Sequence, residues 1–283
     1  MSHSLHASRV LITGASGGIG RALAHELARL GCELWLVGRR RDTLEALREE
    51  LPKGVVTSLL ALDLTHVSDR EALSDALLTC PQSQRPFLVV HLAGVNEVGW
   101  FAQQSSEKVE RLLDINLTST ILLAQQLLPI LALAEKAQLM LVGSMLGHIG
   151  HPGNVAYCAS KAGLRGFSEA LARELADSSV KIQYIAPRAT RTPINPRHVE
   201  QMNAALGNAI DEPESVARLV VKQLASGQVR QTIGWAERCF GVLNSLWPGL
   251  LDRGLAGKRQ VMERHLGPLS HTNEKIEATS HKA

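Results

Sequence analysis

Cysteine is scarce in this chain of 283 residues: Cys32, Cys80, Cys158 and Cys239 stand far apart. That spacing excludes both a zinc-ligand pattern and a disulfide framework, so reduced thiols are expected. Aromatic side chains are also few, with two Tyr, four Phe and four Trp. Charge of one sign is nearly absent, because 30 basic and 27 acidic residues leave a net +3. So small and dispersed an excess gives no footprint for nucleic acid. No stretch approaches the ~18 uncharged apolar residues of a membrane-spanning helix. Residues 1–7 carry neither a basic run nor an apolar core, so no secretory leader is expected and the cytoplasm is the expected compartment. The eleven histidines show no ligand spacing, and no metal site is expected.

What is present is alternation. Apolar, β-branched runs at 9–13, 33–37, 55–61, 87–91, 138–142, 181–185 and 231–234 read as strands. Between them, helical periodicity appears at 21–30, 42–51, 69–78, 107–133, 154–176 and 213–224. Continuous apolar strands separated by amphipathic helices predict an α/β fold, a doubly wound parallel sheet of the Rossmann type covered on both faces. No linker interrupts the chain, so one domain is expected over 8–265, followed by a polar, mobile tail at 266–283.

Between the first strand and the first helix lies Thr13-Gly14-Ala15-Ser16-Gly17-Gly18-Ile19-Gly20. Glycines at such a turn let a pyrophosphate approach the backbone, and the free N–H groups of the helix start favour its charge. A phosphate-loop ATPase is excluded because Arg21, not Lys-Ser/Thr, follows Gly20. Gly14-Ala15-Ser16-Gly17-Gly18 also fits a hydrolase nucleophile elbow with Ser16 as nucleophile. No strand precedes it to supply an oxyanion donor. A purely structural turn is the plainest alternative.

The second strand ends in Val37-Gly38-Arg39-Arg40-Arg41-Asp42, where a carboxylate for a ribose 2′-hydroxyl would otherwise stand. Guanidinium groups there suit a 2′-phosphate, which favours NADP(H), with Arg39 the first candidate and Arg40 the second. A solvated basic turn would look the same. Farther on, Tyr157 and Lys161 fall on one helix face, and a cation beside a phenol is expected to lower its pKa for proton donation. Ser144 follows a strand at the carboxyl end of the sheet, where its hydroxyl can meet developing charge on a substrate oxygen.

Together these motifs resemble the short-chain dehydrogenase/reductase family, in its Thr-Gly-x-x-x-Gly-x-Gly branch, over residues 8–235. The resemblance implies a cofactor set of Gly14, Ser16, Gly18, Ile19, Gly20, Arg39, Arg40, Asp63, Leu64, Ala93 and Gly94. Pro187, Thr190 and Thr192 join it from the Pro-Gly-x-x-x-Thr-like segment, with Tyr157 and Lys161. It also implies a catalytic set of Asn116, Ser144, Tyr157 and Lys161. In that scheme Tyr157 protonates a carbonyl oxygen, Lys161 acidifies it and holds the ribose, Ser144 stabilises the oxygen, and Asn116 orients a water. The implied reaction is NADPH-dependent reduction of a ketone, a 3-oxoacyl thioester or another lipophilic carbonyl, by a homodimer or homotetramer. A nucleotide-binding scaffold without turnover is the alternative from another class. Two departures stand out: His91-Leu92 replaces the family's Asn-Asn, and Arg188 replaces the glycine after Pro187.

Residues 193–212 correspond in similar proteins to the loop and helices over the substrate. Arg188, Arg191 and Arg197 would suit an anionic substrate, and surface solvation would explain them equally. In the apolar segment 236–265, Phe240, Leu243, Leu246, Trp247, Leu250 and Leu251 recur at helical spacing, near Trp235. Such a stripe packs on the body or a second subunit, closes over a greasy substrate, or touches a membrane surface.

Overall fold

The computed structural model describes residues 5–195 and 197–269. The seven apolar runs form β1 (Arg9–Thr13), β2 (Glu33–Gly38), β3 (Thr57–Ala61), β4 (Leu88–His91), β5 (Ala137–Val142), β6 (Val180–Ala186) and β7 (Arg230–Thr232). All neighbours pair in parallel, in the order β3-β2-β1-β4-β5-β6-β7. Parallel neighbours need long crossovers. These hold α1 (Gly18–Arg29), α2 (Arg41–Glu50), α3 (Val67–Thr79), α4 (Ser106–Leu113), α5 (Ser119–Leu131), α6 (Val155–Glu174), α7 (Arg197–Ala205) and α8 (Pro213–Ser226). After β7 come α9 (Trp235–Leu246), α10 (Pro248–Ala256) and α11 (Arg259–Leu266).

Side chains alternate along each strand, so every strand feeds two cores. Val10, Ile12, Leu34 and Leu36 meet α1, α2 and α8 on one face; Leu11, Val89, Leu139 and Leu141 meet α3, α5 and α6 on the other. A third, smaller cluster of Trp100, Val199, Met202, Leu206 and Met262 joins α7 and α11 to the loop after β4. The chain runs outward from β1 to β3, then returns to β4. The crevice therefore opens at the carboxyl ends of β1 and β4, where the winding reverses.

Four local expectations change. Residues 55–56 precede β3, and β7 starts earlier than expected and ends at Thr232. The helix expected over 107–133 is interrupted by a π-helical turn at Asp114–Thr118, a distortion that periodicity does not reveal. Of the tail expected at 266–283, Leu266 and Leu269 pack in the third cluster and Trp100 Nε1 donates to the Gly267 carbonyl at 2.8 Å. Residues 270–283 lie outside the described residues. Among the described residues no helix is long and apolar enough to cross a membrane.

Candidate active site

A cleft of about 1580 Å³ opens over the carboxyl ends of the central strands. Every residue expected at the cofactor or catalytic site lines it, except Asn116.

The glycine turn is built by close backbone approach. Gly14 has φ +65°, and a Cβ there would stand 2.8 Å from the Ala93 nitrogen, so the turn after β1 presses on the Ala93-Gly94 segment after β4. A Cβ on Gly20 would lie 2.3 Å from the Gly14 carbonyl oxygen, and one on Gly18 would meet the Thr192 methyl at 2.6 Å. The first turn of α1 follows with no side-chain cap, leaving its N–H groups open to an anion. Ser16 sits against Gly38 in the turn after β1, the first strand of the described residues, so no earlier strand supplies the oxyanion donor a hydrolase would need.

At the end of β2, Arg41 turns to Glu45 on its own helix, Nε to Oε1 2.9 Å, leaving Arg39 and Arg40 on the cleft rim. Asp63, after β3, closes this end. Burial works against its charge, but hydrogen bonds from the Thr65 hydroxyl and N–H, with the Arg39 guanidinium nearby, hold its carboxyl below the usual range. Two cations on the rim and a carboxylate beside it fit a phosphorylated ribose with its base.

Ser144, Tyr157 and Lys161 converge at the opposite end. Ser144 follows β5 through Gly143, and its Oγ accepts from the Leu146 N–H at 3.1 Å. Its hydroxyl also hydrogen-bonds the half-buried Tyr157 phenol. Lys161 is buried one helical turn along α6, with Nζ donating to the Val142 carbonyl at 3.2 Å and standing 5.8 Å from the Tyr157 ring centre. Within the protein, burial opposes the expected acidification by Lys161. Burial pushes the phenol up to about 12, opposed by the Ser144 hydrogen bond, and burial pulls Lys161 down to about 8. Loss of water penalises both charged forms.

Asn116 does not line the cleft. It sits behind the cleft on the π turn, buried, with Oδ1 accepting from the Val95 N–H at 2.8 Å and Nδ2 donating to the Val95 carbonyl at 2.9 Å. The same Nδ2 donates to Ser160 Oγ at 3.2 Å, so the side chain fastens the loop after β4 to α6.

His91 accounts for the first departure in sequence. Thr13 and His91 are register partners at the ends of β1 and β4, and Thr13 Oγ1 lies 2.8 Å from His91 Nδ1. Thr13 Oγ1 already accepts from the N–H groups of Leu92 and Ala93, so its proton is free for Nδ1. Nε2–H then donates to Thr120 Oγ1 at 2.9 Å, and Thr120 donates to the Asn116 carbonyl at 3.2 Å. Burial, with Lys161 nearby, pulls His91 down to about 3 and keeps it neutral. One imidazole thus connects the glycine-turn strand to the π turn.

The second departure is equally well anchored. Arg188 binds Asp211 through two bonds, 2.9 and 2.7 Å, and reaches Glu237 of α9 at 3.3 Å. Arg191 pairs with Glu212 at 3.1 Å. Two of the three arginines that suggested an anionic substrate therefore already have carboxylate partners within the protein.

Sequence reasoning did not anticipate Tyr184. Its oxygen lies so near Gly143 that a Cβ there would be 2.1 Å away, and this buried hydroxyl has no hydrogen-bond partner among the described residues. The sequence carries only two tyrosines, Tyr157 and Tyr184, and nothing in their spacing brings the second to Gly143. Helices α9 and α10 line the far wall with Ala236, Phe240, Leu251 and Leu255. The apolar stripe therefore faces the cleft in part and leaves other members outside.

Residues 8–203 match the short chain dehydrogenase family. The chain belongs to that family. This short-chain dehydrogenase is 30% identical over 226 residues to nodulation protein G of Rhizobium sp., covering 77% of this chain and 91% of that protein. It is 36% identical over 190 residues to sulfoacetaldehyde reductase of Chromohalobacter salexigens, covering 65% and 72%. It is 31% identical over 224 residues to the 3-oxoacyl-[acyl-carrier-protein] reductase of Pseudomonas aeruginosa, covering 77% and 90%. The fold matches a solved 3-ketoacyl-(acyl-carrier-protein) reductase of Brucella melitensis complexed with NADH, with a TM-score of 0.72 and 20% identity over 81% of this chain and 98% of that one. The short-chain dehydrogenase is thus an oxidoreductase by family.

Proposed function

We propose that this protein reduces a lipophilic ketone or 3-oxoacyl compound to its alcohol with NADPH. The observation that carries the reading is the meeting of Ser144, Tyr157 and Lys161 in a cleft whose other end is rimmed by Arg39 and Arg40. When bound, the nicotinamide supplies hydride to the carbonyl carbon. Tyr157, kept protonated by burial at about 12, donates its proton to the carbonyl oxygen. Even with so high a pKa, a phenol is a stronger acid than the aliphatic alcohol formed, so the transfer runs downhill. Ser144 Oγ, fixed by Leu146, hydrogen-bonds the same oxygen as charge develops on it. Lys161, beside the Val142 carbonyl, would hold the ribose hydroxyls. Ile149, Met202, Phe240 and Leu251 give the substrate end its apolar lining. The named activities of the 3-oxoacyl reductase relatives support the same substrate class.

The test is ketone-dependent NADPH oxidation across carbonyl compounds graded by chain length, 3-oxoacyl thioesters included. Tyr157→Phe is expected to lower the rate by about 10²–10⁴ while leaving cofactor binding intact. A wild type that turns over no carbonyl would defeat the reading. For the cofactor, Arg39→Ala is expected to weaken NADPH binding by about tenfold or more while NADH is spared, since a charge-assisted bond to phosphate contributes about 1.5–3 kcal/mol. Equal losses for both would reassign Arg39 to the solvated rim.

A further inference from the structure

Helix α9 is inside out. On a soluble helix the apolar face packs inward and the polar face meets water. Here Trp235, Cys239, Val242 and Leu246 recur at i, i+4, i+7 and i+11 and form one exposed stripe, with Trp235 81% and Leu246 61% accessible. Glu237, Gly241 and Asn244 lie on the opposite side of the same helix and face the protein. Glu237 binds Arg188, Gly241 abuts Met145 and His148, and Asn244 donates to the His148 carbonyl at 3.0 Å. The stripe continues past the turn into Trp247, 65% accessible, and Leu250. Its contiguity separates it from the scattered single apolar residues that any surface carries.

Three observations identify what covers it. Tryptophans stand at both ends of the stripe, and their amphipathic rings suit the headgroup level of a bilayer. The helices from α9 to α11 carry an excess of cations: Glu237 and Glu263 are paired with Arg188 and Arg259, which leaves Asp252 set against Arg238, Lys258 and Arg264 among the described residues. The same two helices that carry the stripe line the cleft from within through Phe240, Leu251 and Leu255.

We propose that the outward face of α9 and the Trp247–Leu250 turn lies on an anionic lipid surface and opens the substrate end of the cleft toward it. The helices rest in the interface without crossing it, as an apolar face on cation-rich helices does. The route to the cleft rests on the reductase reading, whereas the docking does not.

The test uses the full chain floated with vesicles of phosphatidylcholine alone or mixed with phosphatidylserine. The protein is expected to float with the mixed vesicles, binding them about tenfold better than neutral ones. Trp235→Ser with Trp247→Ser is expected to lower that binding by about tenfold or more. Both tryptophans lie outside the cleft lining, so turnover of a water-soluble ketone without vesicles should be equal in the two proteins; that assay alone reports on the reductase reading. Wild type remaining unbound to both vesicles would overturn the docking, as would a double variant that floats equally well. Light scattering that shows the variant splitting a larger wild-type oligomer would overturn it too, because the face would then be a contact between copies of this chain.

Discussion

The two walls of the cleft are held by different physics. On the side of β1, β2 and β4, shape comes from backbone pressed on backbone: the Gly14–Ala93 and Gly20–Gly14 approaches, within strands whose register is fixed by the sheet. On the side of α7 and α9–α11, shape comes from a five-residue apolar cluster and the Arg188 clamp between Asp211 and Glu237. The first wall cannot yield without disturbing the sheet. The second can shift while the two large cores stay intact, because few buried contacts cross to it. A fold of this kind keeps a rigid bed for one ligand and an adjustable cover for another.

The contrast can be broken from the rigid side first. Gly20→Ala places a methyl 2.3 Å from the Gly14 oxygen, and the expected loss of stability is about 1–3 kcal/mol, with cofactor affinity falling alongside. Chemical denaturation and cofactor fluorescence check both; a variant as stable as wild type would mean that the turn relaxes freely. His91→Leu comes next, removing the partner of two buried threonine hydroxyls, with an expected cost of about 1–3 kcal/mol. Its signature is the pH dependence. His91 is neutral in the fold down to about 3, while the unfolded chain takes up that proton below about 6.5. Its contribution is therefore complete above about 6.5 and lost as pH falls toward 3, so wild type should lose stability over that window more steeply than the variant. Smallest is Arg188→Ala on the adjustable side. An ion pair partly open to solvent contributes about 1 kcal/mol or less, so melting should barely move. Hydrogen exchange in α9 should nonetheless accelerate, and KM for the ketone should rise more than kcat falls. A large drop in melting temperature instead would show the two walls to be one cooperative unit.

Much of the rigid wall was legible in the sequence because its rules are local. Thr13 to Gly20 between a strand and a helix, Arg39 and Arg40 where a carboxylate would stand, and Tyr157 four residues before Lys161 each follow from spacing and charge alone. The rest depends on contacts between distant segments. Nothing in the neighbourhood of Asn116 announces a π turn, since the apolar period continues across it and the distortion is fixed by Val95 and Thr120. The altered pKa values of Tyr157 and Lys161 come from burial that pairwise spacing cannot supply. Arg188 looked like a defect in a glycine position, yet its carboxylate partners lie 23 and 49 residues downstream. Trp235 and Trp247 were visible as a cluster, but their exposure on α9 and the turn after it follows only from how that helix packs.

The brace formed by α11 has a consequence for biosynthesis. Met262 and Leu266 pack against Gly153, just ahead of the helix that carries Tyr157, and Gly267 secures Trp100. While these residues are still inside the ribosome, the nascent chain can already assemble its sheet and the bed around the glycine turn. The segment that braces the start of α6 is translated much later than the glycine turn, so the substrate end gains this support only after the rest of the sheet has emerged.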